Sequence, residues 1–257
     1  MALYEKPVRL LMHDMVGNLG LQKGQVLTKD RVIAWFAEKY PRVKEGTISA
    51  HLIRLSTNAT SRMYYNAKPG DDDLFFQLDG GNFRLYDSAT DPVPNYDKPK
   101  AVTLQAPSAA GELEPPTEFA YETDLRDFLA KNLSLLQPGL RLYQDEGITG
   151  IEFPAGGRFI DILGVDAQRN LVVVELKVSR GYDRVVGQLL RYMAWITQHQ
   201  AEPGQAVRGI IVAREISEDL QLACSDLQNV ELFEYELSVT LRKINGMAAS
   251  PPIPMSS

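Results

Sequence analysis

Apolar positions recur along this chain with two different periods, and each change of period marks a change of predicted element. Pro7 to Asn18 reads as a helix. Thr28 caps a second helix that runs to Tyr40 with Val32, Ile33 and Phe36 inward, and Pro41 stops it. A third helix, from Thr47 to about Ser56, packs Ile48, Leu52 and Leu55. Leu74–Leu78 and Asn82–Tyr86, joined by Asp79-Gly80-Gly81, then form a hairpin. From Asp87 to Thr117 no period is sustained and Pro92, Pro94, Pro99, Pro107, Pro115 and Pro116 recur, as in a partly extended linker. Beyond it come a helix from Glu118 to Leu136, strands up to Lys177 and a helix from Tyr182 to Gln198. A strand from Val207 to Ala213, a helix from Ser217 to Ser225 and a strand from Val230 to Leu241 complete the series. The pattern divides the chain into a first domain (1–87), a linker (88–117), a second domain (118–246) and a frayed tail (247–257). The second domain has the order of an α/β fold, a mixed sheet flanked by helices.

Within that domain Phe159 to Val165 and Leu171 to Lys177 are apolar enough to be strands, and Asp166 to Asn170 supply turn chemistry between them. If Val165 lies opposite Leu171, the antiparallel register sets Asp161 across from Glu175, with β-carbons roughly 5 Å apart. The two-residue period sends Glu175 and Lys177 to one face and Val172, Val174 and Leu176 to the other. Two carboxylates and a lysine would then share one face. A lone Glu-x-Lys is ordinarily a solvated surface pair. The near-continuous apolar runs around this one are those of strands buried on both faces, where charges need a compensating partner. Oxygen ligands at such a separation suit a hard divalent ion such as Mg2+ or Mn2+. On the next helix Val186, Leu189, Met193 and Ile196 form one stripe, and Gln188 and Tyr192, four residues apart, lie together on another.

Asp161, then Glu175-Leu176-Lys177, then Gln188-Leu189-Leu190-Arg191-Tyr192 resembles the PD-(D/E)XK nuclease superfamily, in the RecB-like branch marked by a Gln-x-x-x-Tyr helix. The wording of Arg158–Leu163 and Gly187–Met193 is most similar to NucS-type DNA endonucleases, over roughly Glu118 to Ile244. The resemblance implies a restriction-endonuclease-like core that hydrolyses phosphodiester bonds. It implies a helical glutamate ahead of the hairpin, for which Glu122 is the match, with Glu118 and Asp124 as competitors. Asp161, Glu175 and the Leu176 carbonyl would hold the metal, with Glu122 completing the cage. Lys177 would position or deprotonate the attacking water, and Gln188 and Tyr192 would orient the substrate phosphate or the lysine. Arg158, Arg184 and Arg191 are candidate phosphate contacts.

Three helices followed by a hairpin make the first domain similar to a winged helix. On its third helix Thr47, His51, Arg54 and Asn58 would fall on an open face suited to base edges or phosphates. Arg42, Lys44, Arg54 and Arg62 against Glu45 leave a local positive excess there, while Asp71-Asp72-Asp73 should face away from a DNA backbone. The 257 residues are 44% hydrophobic and 23% charged, enough for one or two cores. A net charge of -6 gives no global pull toward nucleic acid, so affinity must come from local patches and the metal. The single Cys224 excludes an internal disulfide, and His13, His51 and His199 have no zinc spacing. With no signal peptide and no membrane-length apolar run, the expectation is a cytoplasmic protein whose partner is DNA. Cutting both strands of a duplex would ordinarily need two sites, which a homodimer would supply. The alternative is a DNA-binding regulator or scaffold with an inert nuclease-like domain.

Overall fold

In the computed structural model, residues 4–96, 122–177 and 184–237 are described. The expected linker beyond residue 96, Glu118, Tyr121 and the tail lie outside them. The N-terminal elements form where the pattern places them: α1 (Val8–Asn18), α2 (Lys29–Lys39), α3 (Glu45–Leu55) and a hairpin of β2 (Phe75–Gln77) and β3 (Asn82–Leu85). Thr28 Oγ1 accepts the Arg31 N–H, the expected cap of α2. A third short strand, β1 (Leu27–Thr28), pairs antiparallel with β3. Val32, Trp35, Phe36, Ile48, Leu52, Leu55, Phe75 and Phe83 form the core of this half.

The C-terminal half is built on one mixed sheet. Its elements are α4 (Glu122–Lys131), β4 (Arg141–Leu142), β5 (Gln144–Asp145), β6 (Ile148–Thr149), β7 (Ile151–Ala155), β8 (Arg158–Val165) and β9 (Leu171–Lys177). They continue with α5 (Val185–His199), β10 (Val207–Ala213), α6 (Glu218–Cys224) and β11 (Val230–Glu234). The sheet runs β11-β10-β9-β8-β4, with β7 also on β8. β9, β10 and β11 are parallel, whereas β4, β7 and β9 are antiparallel to β8. Alternation along β9 and β10 sends Leu171, Val173 and Ile211 toward α5 and Val172, Val174, Leu176, Ile210 and Val212 toward α4. Helix α5 lies so close to β10 that a β-carbon on Gly209 would meet Met193 Sδ at 2.6 Å. Pro154 is tolerated within β7 because that strand pairs only on its β8 side. On α4 Leu125 and Leu129 are buried, Phe128 is 43% exposed, and Arg126 is buried beside the two leucines.

The open face expected on α3 is not there. Every residue of α3 from Gly46 to Leu55 is buried, Thr47, His51 and Arg54 included, and so is Arg62. The reason is that α3 is apolar on two stripes: Ile48, Leu52 and Leu55 face the N-terminal core, while Ala50 and Ile53 join Phe153, Ile160 and Leu163 of the sheet. Its polar residues are consumed inside this seam. Arg54 forks onto Asp72 Oδ2 at 3.1 Å and donates to the Glu146 carbonyl at 2.7 Å. Arg62 pairs with Asp73 at 2.5 Å. The acidic run expected to face away thus neutralises the very arginines expected to face DNA. Burial pushes the His51 imidazole down to about 3, so it brings no charge to a phosphate. Asn58 is exposed, but its amide is engaged on both sides by the backbone of Gln77.

Asp72 is fully buried and also accepts from Arg9 and the Lys68 N–H. Its replacement, Asp72→Ala, strands Arg54 in the seam and is expected to lower unfolding free energy by about 3–5 kcal/mol. Urea unfolding measures this, and a midpoint equal to that of the wild type would show that the ion pair contributes no stability.

Candidate functional site

The β8–β9 ladder has the register deduced from the turn: Val165 faces Leu171, Gly164 faces Val172, Leu163 faces Val173 and Ile162 faces Val174. Asp166 shapes the turn by accepting the Gln168 and Asn170 N–H groups at 3.0 and 2.8 Å. The pairing ends at Ile162, so Asp161 is not a ladder partner of Glu175. Instead its carboxylate accepts the Leu176 N–H at 2.9 Å. The physical cause is a break of alternation: Ile160 and Leu163 pack on the α5 side and Ile162 on the α4 side, which ordinary pleating forbids.

Glu175 sits on the central strand, fully buried, with neighbours on both sides. Gln188 Nε2 donates to its Oε2 at 2.7 Å. Its Oε1 is also buried and has no hydrogen-bond partner among the described residues. Burial first, and the neighbouring Asp161 charge second, push its carboxyl from 4.5 up to about 9. Burial also raises Asp161, opposed by the Leu176 N–H and by the positive charge of Lys177. At the end of β9, Lys177 Nζ lies 3.3 Å from Glu122 Oε1, and both groups are partly exposed.

The Gln-x-x-x-Tyr pair has a more structural place than expected. Gln188 holds Glu175 rather than Lys177, and Tyr192 Oη donates to the Phe159 carbonyl at 2.8 Å, fastening α5 to β8. Arg158 and Arg184 are exposed, whereas Arg191 is half-buried with its guanidinium 4.5 Å from the Tyr192 ring centre. Two polar residues were missed in the sequence. Arg126 is buried one turn beyond Glu122, and Glu152 accepts from it at 2.5 Å. The signal available was an arginine set between Leu125 and Leu129 on α4.

The donor set fits a hard divalent cation, because the buried Oε1 of Glu175 has no hydrogen-bond partner among the described residues and the Asp161 charge lies close enough to act on it. Glu122 does not close a cage around them, being turned to Lys177. Among the described residues no three acidic, histidine or cysteine side chains converge as a ready-made metal group.

Residues 7–85 match the model of a domain of unknown function, DUF7669, and residues 121–245 that of the endonuclease NucS C-terminal domain. Endonuclease NucS of Sulfolobus acidocaldarius is 33% identical over 132 residues, covering 51% of this chain and 46% of the relative. The Methanopyrus kandleri protein is 31% identical over 100 residues, covering 39% and 35%. The chain therefore aligns with less than half the length of these curated relatives. A repair endonuclease from Pyrococcus abyssi is 24% identical in structural alignment, covers 48% of this chain and 50% of its own, and has a TM-score of 0.38. An EndoMS complex with double-stranded DNA is also 24% identical, covers 51% of both chains and has a TM-score of 0.39. From residue 121 to residue 245, just under half of its length, this chain is similar to the endonuclease NucS C-terminal domain.

Proposed function

We propose that the chain is a divalent-metal-dependent DNA endonuclease that hydrolyses phosphodiester bonds. The observation that carries this is the fully buried Glu175, with one oxygen held by Gln188 and the other without a donor, next to Asp161 and Lys177. Burying charge in this way is costly, and a cation at the site is the simplest compensation. That two relatives named endonuclease NucS align with 39% and 51% of the chain, and that residues 121–245 match the NucS C-terminal domain model, supports the reaction class.

Glu175 through Oε1, together with Asp161, would hold Mg2+ or Mn2+. Such an ion supplies Lewis-acid polarisation of the scissile phosphate and lowers the pKa of water bound to it. Gln188 fixes the rotamer of Glu175, and the Leu176 N–H fixes one oxygen of Asp161, so neither carboxylate must reorganise when substrate arrives. Lys177, a partly exposed ammonium held by Glu122, can donate to a non-bridging phosphate oxygen as negative charge builds on it. The exposed Arg158 and Arg184 are the candidates for flanking phosphates. With α3 buried, recruitment through its polar face is replaced by these contacts near the strand ends.

Incubated with Mg2+ or Mn2+, the protein is expected to nick or cut duplex DNA. Lys177→Ala should lower kcat by about 100- to 1,000-fold, the usual loss for one electrostatic stabiliser, and Glu175→Ala at least as much. Both should leave DNA binding near that of the wild type, and full cutting by both variants would overturn the assignment. Testing linear, circular, mismatched, flapped and single-stranded DNA, and RNA, would define the substrate.

The pH dependence follows from Glu175. Its folded pKa, about 9, lies above its ordinary 4.5, so the ion-free protein has this stability in full below 4.5. The contribution is lost as pH rises from there through about 9. The ion-free wild type should therefore lose more melting temperature from pH 6 to 9 than Glu175→Gln, which keeps a neutral group. Because an ion must displace that proton, apparent Mn2+ affinity should rise by up to about tenfold per pH unit in this window, as calorimetry in two buffers can show. Affinity independent of pH would remove Glu175 from the ligand set.

A further inference from the structure

We infer that the N-terminal half positions the helix that carries Glu122, through a relay centred on Arg126 and Glu152; this rests on the nuclease reading above. Arg126 is 5% exposed and lies four residues after Glu122, on the same stripe of α4. Its two terminal nitrogens go to different parts of the chain. Nη1 donates to Glu152 Oε1 at 2.5 Å, and Nη2 to Tyr64 Oη at 2.5 Å, with the guanidinium 4.9 Å from the centre of the same tyrosine ring. Tyr64 belongs to a 3-10 turn, Thr60–Tyr64, that follows α3 in the N-terminal half.

The same turn grips Glu152 from the other side. Ser61 Oγ donates to Glu152 Oε2, and Tyr65 Oη donates to the Glu152 carbonyl at 2.6 Å. Thr149 Oγ1 donates to the Tyr64 carbonyl at 3.0 Å. Glu152 adopts φ +48°, a left-handed conformation that a glutamate holds only where its surroundings impose it. Glu152 thus occupies the point at which the N-terminal half meets α4.

The consequence runs along α4. A helix this short is not stable by itself, and its rotation is set by its anchors. Leu125 and Leu129 anchor it to the sheet, and Arg126 anchors it to Tyr64 and Glu152. With that setting Glu122 reaches Lys177, whose positive charge acts on both Asp161 and Glu175. Tyr64, Ser61 and Arg126 are positioning residues, acting on the reaction through Glu122 and Lys177. The N-terminal half then serves catalysis as a brace against α4, in keeping with its buried third helix.

The test is Tyr64→Phe in the full chain, which keeps the ring and removes the acceptor for Arg126; Ser61→Ala is the second variant. Tyr64→Phe is expected to lower kcat about tenfold while KM and DNA Kd stay within about twofold, and Arg126→Lys, which keeps the charge but loses the fork, to fall between it and the wild type. In a Glu122→Gln background the same substitution should cost less than about twofold, because residues of one network are not additive. A rise in KM with kcat retained, or full additivity with Glu122→Gln, would overturn the relay. Amide hydrogen exchange decides the structural part without any cutting assay. The amides of Leu125 to Leu129 should exchange faster in Tyr64→Phe while those of β9 do not change, and unaltered α4 exchange refutes the brace. A wild type that cuts no nucleic acid would sink the nuclease reading alone, and the exchange result would still decide the relay.

Discussion

The burial of one carboxylate organises this half of the molecule. Glu175 occupies the middle strand of the sheet, where water is absent and a negative charge is costly. Everything around it reads as a response to that cost. Gln188 reaches from α5 to take one oxygen, while burial first and the Asp161 charge second raise the carboxyl's proton affinity. An apolar residue would cost less at this position, and the cation proposed for the site is what would offset the burial of an acid there.

The helix that supplies Gln188 is itself held in register by close packing and one hydrogen bond. Gly209 lets Met193 and Leu189 approach β10, and the Tyr192 hydroxyl reaches the Phe159 carbonyl two residues before Asp161. The Gln-x-x-x-Tyr spacing therefore performs two tasks one helical turn apart: it fixes Glu175 and it fixes the strand that carries Asp161. A fault in the packing of α5 would misplace both carboxylates together.

The N-terminal half shows how a polar helix face can mislead. Thr47, His51 and Arg54 look like a nucleic-acid reading surface when α3 is considered by itself. In the folded chain they lie in a seam between two cores, where Asp72 and the Glu146 carbonyl take Arg54, Gln200 donates to Thr47, and the uncharged His51 is enclosed with neither ring nitrogen hydrogen-bonded among the described residues. A buried Arg–Asp pair in such a seam adds little net stability over an apolar one but strongly penalises wrong docking. The outcome is one defined arrangement of the two halves rather than a tethered reader.

Sequence alone determined the period of each strand and helix, the turn at Asp166, the Val165–Leu171 register and the spacing that sets Gln188 and Tyr192 on one helical face, because these depend on neighbours a few residues apart. It also singled out Asp161, Glu175, Lys177, Gln188 and Glu122, which the fold brings near one another, but not Arg126 or Glu152. Tertiary structure decided the rest. Asp161 meets the Leu176 N–H because alternation breaks at Ile160–Ile162, Glu122 turns to Lys177, and α3 disappears into the seam. Those outcomes depend on which apolar stripe finds a partner far along the chain. Ala50 and Ile53 gave α3 a second apolar face, but the sheet residues that cover it lie about a hundred positions further on. No local period records that meeting.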